Sequence, residues 1–172
     1  MANLLSHVTK NISYSISNGW TTVLYSTLLI SCSRLAKTNW EKRFMIWLAE
    51  HDQNYVGLGF AGIDFEDICW SPSDFEEQKE FVIAIAKNAI EEKLWKKLDP
   101  KTNVETITSF LNLWIELFSN ARADDIKPID DFAWYNKPNL PDDLNRQCFR
   151  YKIYLNKLGK TERECCYLCS NS

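Results

Sequence analysis

Residues 71–90 read SPSDFEEQKEFVIAIAKNAI, and this stretch carries the clearest structural signal in the chain. Ser71-Pro72 places a capping residue before a proline, and Ser73-x-x-Glu76 offers a competing capping box. The residues that then fall on one half of a helix are Phe75, Gln78, Phe81, Val82, Ile85, Ala86, Ala89 and Ile90. We predict an amphipathic helix that runs to about Leu98, where Asp99-Pro100 stops it.

Three further helices are predicted around this one. Residues 18–36 are apolar on most faces, and their length favours a buried helix. Asn39 is a candidate cap for the next helix, whose apolar stripe is Trp40, Phe44, Trp47 and Leu48. Thr102-x-x-Glu105 is another capping box, and the apolar residues of the helix after it are Ile107, Phe110, Leu111, Trp114, Ile115 and Phe118. Two long helices joined by a short loop usually pack antiparallel.

The composition favours a mainly α fold in one compact domain. The chain has 172 residues, 45% of them hydrophobic, and five glycines and five prolines are few for a many-turned β-sandwich. We predict a compact helical domain over residues 1–120, with a short extended segment at residues 55–63 where glycines alternate with apolar residues. Residues 121–172 are predicted to form a small, loop-rich, cysteine-containing extension packed on the same domain.

Charge and hydropathy exclude several classes of function. A net charge of −3 argues against a general nucleic-acid binder, which needs a basic stripe. The most apolar window, residues 20–35, is interrupted by Arg34 and several hydroxyl side chains, and it is shorter than the ~20 apolar residues of a membrane span. The N-terminal residues lack the basic region and cleavage site of a secretory signal. We therefore expect a cytoplasmic protein with no membrane partner and no direct nucleic-acid binding.

The sequence carries no recognisable catalytic motif. His7 lies near a terminus that is expected to be poorly ordered, and His51 follows a predicted helix. The chain contains no Gly-x-Ser-x-Gly, no His-Glu-x-x-His and no phosphate-binding loop. His51-Asp52 would act as an acid/base pair only if a nucleophile converged on it in space. We do not expect an enzyme.

Four of the six cysteines crowd the C-terminus, where they raise the question of zinc. Cys166-x-x-Cys169 has the spacing of two zinc ligands, and Cys148 could supply a third. Tyr151 stands where a second ligand close to Cys148 would be, although Cys165 could substitute. Because structural zinc sites are almost always four-coordinate, we expect no cofactor, with zinc at Cys148, Cys166 and Cys169 as the alternative.

Acidic residues surround Trp70 and Phe75 at the start of the helix that is predicted from residue 71. Their carboxylates would favour the positive end of the helix dipole, which is one interpretation. The other is a binding face with an aromatic anchor amid charge. The candidate binding residues are Asp64, Glu66, Asp67, Trp70, Asp74 and Glu77.

Several motifs follow one another in a suggestive order between residues 28 and 98. They are LLI-x-x-SR from Leu28, NW-x-x-RF from Asn39, GIDFEDICW from Gly62, FEEQKEF from Phe75, and W-x-x-L from Trp95. Together they resemble immunity proteins encoded beside bacterial polymorphic or contact-dependent growth-inhibition toxins, over roughly residues 20–120. Similar proteins end in Cys-x-x-His, Ile-Tyr-Leu and Cys-x-x-Cys. Here the cysteines and residues 153–155 match that ending, but Tyr151 replaces the histidine.

The resemblance implies stoichiometric inhibition without a cofactor. The protein would bind one cognate toxin domain in the cytoplasm of the producing cell and block its active site or substrate surface. Such toxins are frequently nucleases with basic clefts, which an acidic partner suits. The alternative is a regulatory or interaction protein with a C-terminal zinc knuckle, with basic residues nearby at Lys152, Lys157, Lys160 and Arg163.

Overall fold

The computed structural model describes residues 2–7, 10–50, 63–65, 68, 70–97 and 103–126. Within these residues the elements are β1 Ala2–His7, β2 Ile12–Ser17, α1 Asn18–Leu35, α2 Asn39–Glu50, β3 Ile63–Asp64, α3 Phe75–Glu92 and α4 Val104–Ser119. Short 3-10 turns follow α3 at Leu94–Lys97 and α4 at Ala123–Asp125. The predicted mainly α fold is confirmed. Residues 127–172 of the predicted extension lie outside the described residues. The boundary at residue 120 between the helical domain and the extension therefore stays a prediction.

A small sheet at the N-terminus was not predicted from the sequence. Its strand order is β2-β1-β3, with β1 antiparallel to β2 and parallel to β3. The register places His7 opposite Ile12 and Ser6 opposite Asp64. Asn11 takes a positive φ of 52° just before β2, which asparagine tolerates better than most residues. The central strand β1 therefore pairs with β2 on one side and, on the other, with β3, which contains the predicted binding residue Asp64.

The first helix, α1, is the buried centre of the molecule. Every residue from Thr27 to Ser33 is buried, and seven residues make about two helical turns, so all faces of the helix are covered there. The covering elements include α2, α3 and α4, all of which contact α1. The prediction of a buried helix in this region is confirmed.

Helices α3 and α4 pack against each other in antiparallel directions, as predicted. The Nζ atom of Lys79 lies 3.5 Å from the carbonyl oxygen of Ala121, and the indole N–H of Trp114 donates to the carbonyl oxygen of Val82 at 2.9 Å. As the chain advances from Lys79 to Val82, its partner moves back from Ala121 to Trp114, which requires opposite directions. The facing apolar stripes close the core between the two helices.

The predicted ends of α3 are wrong at both termini. The helix begins at Phe75, because Ser71-Pro72 lies in a preceding turn where the Ser71 hydroxyl donates to the Asp74 carboxylate at 2.9 Å. It ends at Glu92 instead of near residue 98, since Lys93 adopts a left-handed conformation with φ 51°. This reversal lets the buried Trp95 indole donate to the carbonyl oxygen of Ala89 at 3.0 Å.

Two predicted caps are displaced by one residue. At α2 the capping box is formed by Thr38 and Glu41 instead of by Asn39. The Glu41 backbone N–H donates to the Thr38 hydroxyl at 3.3 Å, and the Thr38 backbone N–H donates to the Glu41 carboxylate at 2.8 Å. At α4 the cap is Asn103, whose side-chain oxygen accepts the backbone N–H of Thr106 at 3.0 Å.

Candidate functional site

The predicted binding segment, residues 64–77, is built around three buried aromatic rings. The ring of Trp70 lies 5.1 Å from that of Phe65 and 5.2 Å from that of Phe75, measured between centroids. The Trp70 indole N–H donates to the Phe65 carbonyl oxygen at 2.9 Å. Ile68, between them in the chain, is also fully buried. These contacts fix Phe65 and Trp70 against the start of α3.

Trp70 belongs to the core instead of to the binding face. Its side chain is 5% exposed, and its polar N–H already has a buried acceptor within the chain. A side chain that is covered in this way cannot act as an exposed aromatic anchor for a partner. The structure therefore corrects the sequence prediction at this position.

The exposed face of α3 is acidic over its first half. The exposed residues in this half of the helix are Glu76, Glu77 and Glu80, and the exposed Asp74 comes just before them. The next exposed positions along the helix are Ala84 and Lys87. Two of the predicted binding residues, Asp74 and Glu77, thus stand together on the surface. Glu76 is paired with Lys79, 2.6 Å away, so it presents less net charge to a partner. We call Asp74, Glu76, Glu77 and Glu80 the acidic face.

The remaining predicted contact residues cannot be placed on this face. Asp64 is the second residue of β3, and its backbone pairs beside Ser6 of the central strand. Glu66 and Asp67 lie outside the described residues. The carboxylates of the acidic face also lie near the positive end of the α3 dipole, which they stabilise, so the structural and the binding interpretations coexist there.

A second cluster, which the sequence did not predict, joins His7, Lys10 and Asp125. His7 is fully buried, contrary to the expectation of a poorly ordered terminus, and its ring stacks on Phe65 at 4.3 Å. Its Nε2 atom lies 3.4 Å from one oxygen of the Asp125 carboxylate, and Lys10 Nζ lies 3.1 Å from the other. We call these three residues the clasp, because they connect the N-terminal hairpin to the 3-10 turn after α4.

Asp125 is held in its charged form within the clasp. Burial acts to raise the pKa of this carboxyl, but the hydrogen bond from the Arg122 backbone N–H and the charge of Lys10 outweigh it. His7 contributes in the same direction, and the resulting pKa lies below the ordinary value. Asp125 is only 9% exposed, so its carboxylate is largely shielded from water.

Metal chemistry finds no support in the part of the chain that the structure describes. No three His, Cys, Asp or Glu side chains among those residues stand close enough together to hold a metal ion. The predicted zinc ligands Cys148, Cys166 and Cys169 lie outside the described residues, as do His51 and its neighbour Asp52. The question of zinc therefore depends on measurement.

We expect less than one zinc ion per chain, because a fourth ligand is not apparent beside Cys148, Cys166 and Cys169. Elemental analysis of protein purified without chelator measures this directly. One zinc per chain that is lost in Cys166→Ser or Cys169→Ser would contradict the expectation. That result would favour the alternative of an interaction protein with a C-terminal zinc knuckle.

Comparisons with protein-family models, with curated proteins and with solved structures find no match for this chain. Among the described helices, none combines the length and the apolar character needed to cross a bilayer.

Proposed function

We propose that this protein is a cytoplasmic immunity protein that binds a cognate toxin domain and neutralises it stoichiometrically, with no catalytic activity of its own. The observation that carries the proposal is the acidic face, in which carboxylates occupy successive exposed positions at one end of α3. The ordered motifs between residues 28 and 98, which resemble those of immunity proteins, supply the class of partner.

The acidic face suits a partner with a basic cleft, such as a nuclease domain. Its carboxylates stand on or just before a helix whose inner side is packed in the core, so the backbone that carries them is held in place before binding. Charges that are held in this way attract an oppositely charged surface from a distance and speed its association. An inhibitor that covers a basic cleft also competes directly with the nucleic-acid substrate of such an enzyme.

The test is a charge reversal on the acidic face, with Asp74→Lys and Glu77→Lys combined in one variant. We expect about a tenfold loss of affinity for the toxin domain encoded next to this protein, chiefly through slower association, because reversed charges repel a basic surface. The loss should shrink as salt is raised, since exposed charges are screened over about 10 Å at 0.1 M. Binding at two salt concentrations and survival of toxin-expressing cells are the measurements.

A matched control carries the same change of charge elsewhere, at Glu91→Lys and Glu105→Lys. Both residues are exposed, and Glu105 lies in the first turn of α4 just as Glu77 lies in the first turn of α3. Glu105→Lys therefore matches the first-turn dipole loss of Glu77→Lys, roughly 0.3–1 kcal/mol. Glu91 lies in the last turn of α3, where lysine suits the dipole, so the control matches the total change of charge and not the whole dipole loss. An equal loss of affinity in both variants, or unchanged affinity and salt dependence in the first, would contradict the proposed face.

A further inference from the structure

We propose that the clasp of His7, Lys10 and Asp125 positions the predicted binding segment, residues 64–77, by holding it in place from the far end of the described chain. This inference rests on the proposed function, because it concerns how the same binding site is held in place. Asp125 acts as a positioning residue in it, since its carboxylate contacts the hairpin.

The first step of the argument is the geometry of the clasp itself. One carboxylate serves three groups, because its oxygens lie near His7 and Lys10 and also accept the Arg122 backbone N–H at 2.9 Å. Two of these groups belong to the hairpin, and the third belongs to the turn after α4. Loss of the carboxylate would remove the charged partner of Lys10 and the oxygen that lies beside the buried His7 ring, which weakens the contact between the hairpin and the turn after α4.

The second step is the connection from the clasp to the acidic face. His7 ends β1, the central strand, and its ring stacks on Phe65, the residue that follows β3. Phe65 in turn stacks on Trp70 and accepts its indole N–H, and Trp70 packs against Phe75 at the start of α3. Every link is a direct contact between buried side chains. Displacement of His7 therefore removes one ring contact of Phe65 and weakens the series of contacts that ends at Phe75, beside the acidic face.

The test is hydrogen exchange of the isolated protein in two variants, Asp125→Asn and Asp124→Asn. Asp124 is the exposed neighbour in the same turn, so its variant makes the same chemical change outside the clasp. In Asp125→Asn we expect the Trp70 indole N–H to exchange about tenfold faster, because local opening becomes easier. The Trp114 indole N–H, which is bonded to Val82 in the helical core, should change by less than about threefold.

Two results of this measurement would overturn the clasp. One is equal exchange at Trp70 in both variants, and the other is equal acceleration at Trp70 and Trp114, which indicates global destabilisation. If Asp125→Asn fails to fold, Lys10→Gln is the second variant. Lys10 is partly exposed, and its loss should still accelerate Trp70 selectively, by a smaller factor. No acceleration in that variant would also count against the proposal.

The pH dependence supplies a readout that a general packing role would not give. The pKa of Asp125 is lowered in the folded protein. Its contribution to folding stability is therefore present above the unfolded pKa of about 3.9 and is lost as pH falls through the folded pKa. The groups that face this carboxyl are the side chains of His7 and Lys10 in the hairpin and the backbone N–H of Arg122 in its own turn. Wild type and Asp125→Asn should therefore differ in Tm near neutral pH and converge in acid. A constant difference across this range would overturn the proposal.

Binding then separates the clasp from the proposed function. Asp125→Asn should weaken binding of the toxin domain even though Asp125 lies outside the acidic face, while Asp124→Asn should bind as wild type does. Faster exchange at Trp70 with unchanged binding would show that the clasp does not position the binding segment for the toxin domain, and it would leave the toxin proposal standing. If the wild type does not bind the toxin domain, the proposed function fails, and the exchange result still decides whether the clasp holds the segment.

Discussion

Replacement of Trp114 with alanine is expected to lower the free energy of unfolding by about 3–5 kcal/mol. Trp114 is fully buried between α3 and α4, with its ring 4.6 Å from that of Phe118. Its indole N–H donates to the carbonyl oxygen of Val82 across the helix pair. Removal of the side chain leaves a large cavity at the centre of this contact, and two rigid helices can close it only in part.

Chemical denaturation of Trp114→Ala measures the effect, with Trp114→Phe as the companion variant. Phenylalanine keeps much of the apolar contact and loses the hydrogen bond, so we expect a smaller loss of about 1–3 kcal/mol. Trp20→Ala is the control, because Trp20 is only partly buried against Phe110. A loss below about 1 kcal/mol in Trp114→Ala would show that the helix pair does not depend on this residue.

The helices of this protein could be predicted because their burial follows a local period. Side chains three and four positions apart share one face, so the apolar residues of α4 identified its buried stripe before any partner was known. The burial of α1 was predicted on a different ground, because residues 18–36 are apolar on most faces and long enough for a helix. Exposed carboxylates at Asp74 and Glu77 followed from the local period, because they occupy the polar side of α3.

The ends of the helices could not be predicted, because tertiary contacts decide among several local signals. Thr102 and Asn103 are adjacent, and both residue types cap helices well, yet Asn103 provides the cap. Nothing in the local sequence stops α3 at Glu92, because the residues after it are good helix formers. The burial of Trp95 and the hydrogen bond from its indole to Ala89 favour the left-handed conformation at Lys93.

The hairpin left a signal in the sequence, whereas the clasp left none. Residues 12–17 alternate between large side chains and serine, and Asn11 before them suits a turn, so a period of two was there to be found. The pairing of His7 with Asp125 joins residues from opposite ends of the described chain, and no spacing rule connects them. Trp70 shows the same limit, because an aromatic residue among carboxylates fits a surface anchor and a core residue equally well.

Replacement of Phe65 with alanine is expected to lower the free energy of unfolding by about 3–5 kcal/mol and to weaken binding of the toxin domain as well. Phe65 is fully buried, and its ring contacts those of His7, Trp70, Phe75 and Phe118. It therefore lies where the clasp, the binding segment and α4 meet. A cavity at this point removes contacts from all three, so stability and binding should fall together.

Phe65→Leu separates these two effects, with Phe110→Ala as the control. Leucine fills much of the space but gives no flat ring for His7 and Trp70 to stack on, so we expect a loss of about 1–2 kcal/mol with a clear loss of toxin affinity. Phe110 is partly buried against Trp20, about two helical turns before Phe118 on α4, and its loss should affect stability alone. Denaturation midpoints and affinities of the three variants give the comparison. If Phe65→Leu binds as tightly as wild type, stacking at Phe65 does not position the acidic face, and the rings serve only to fill the core.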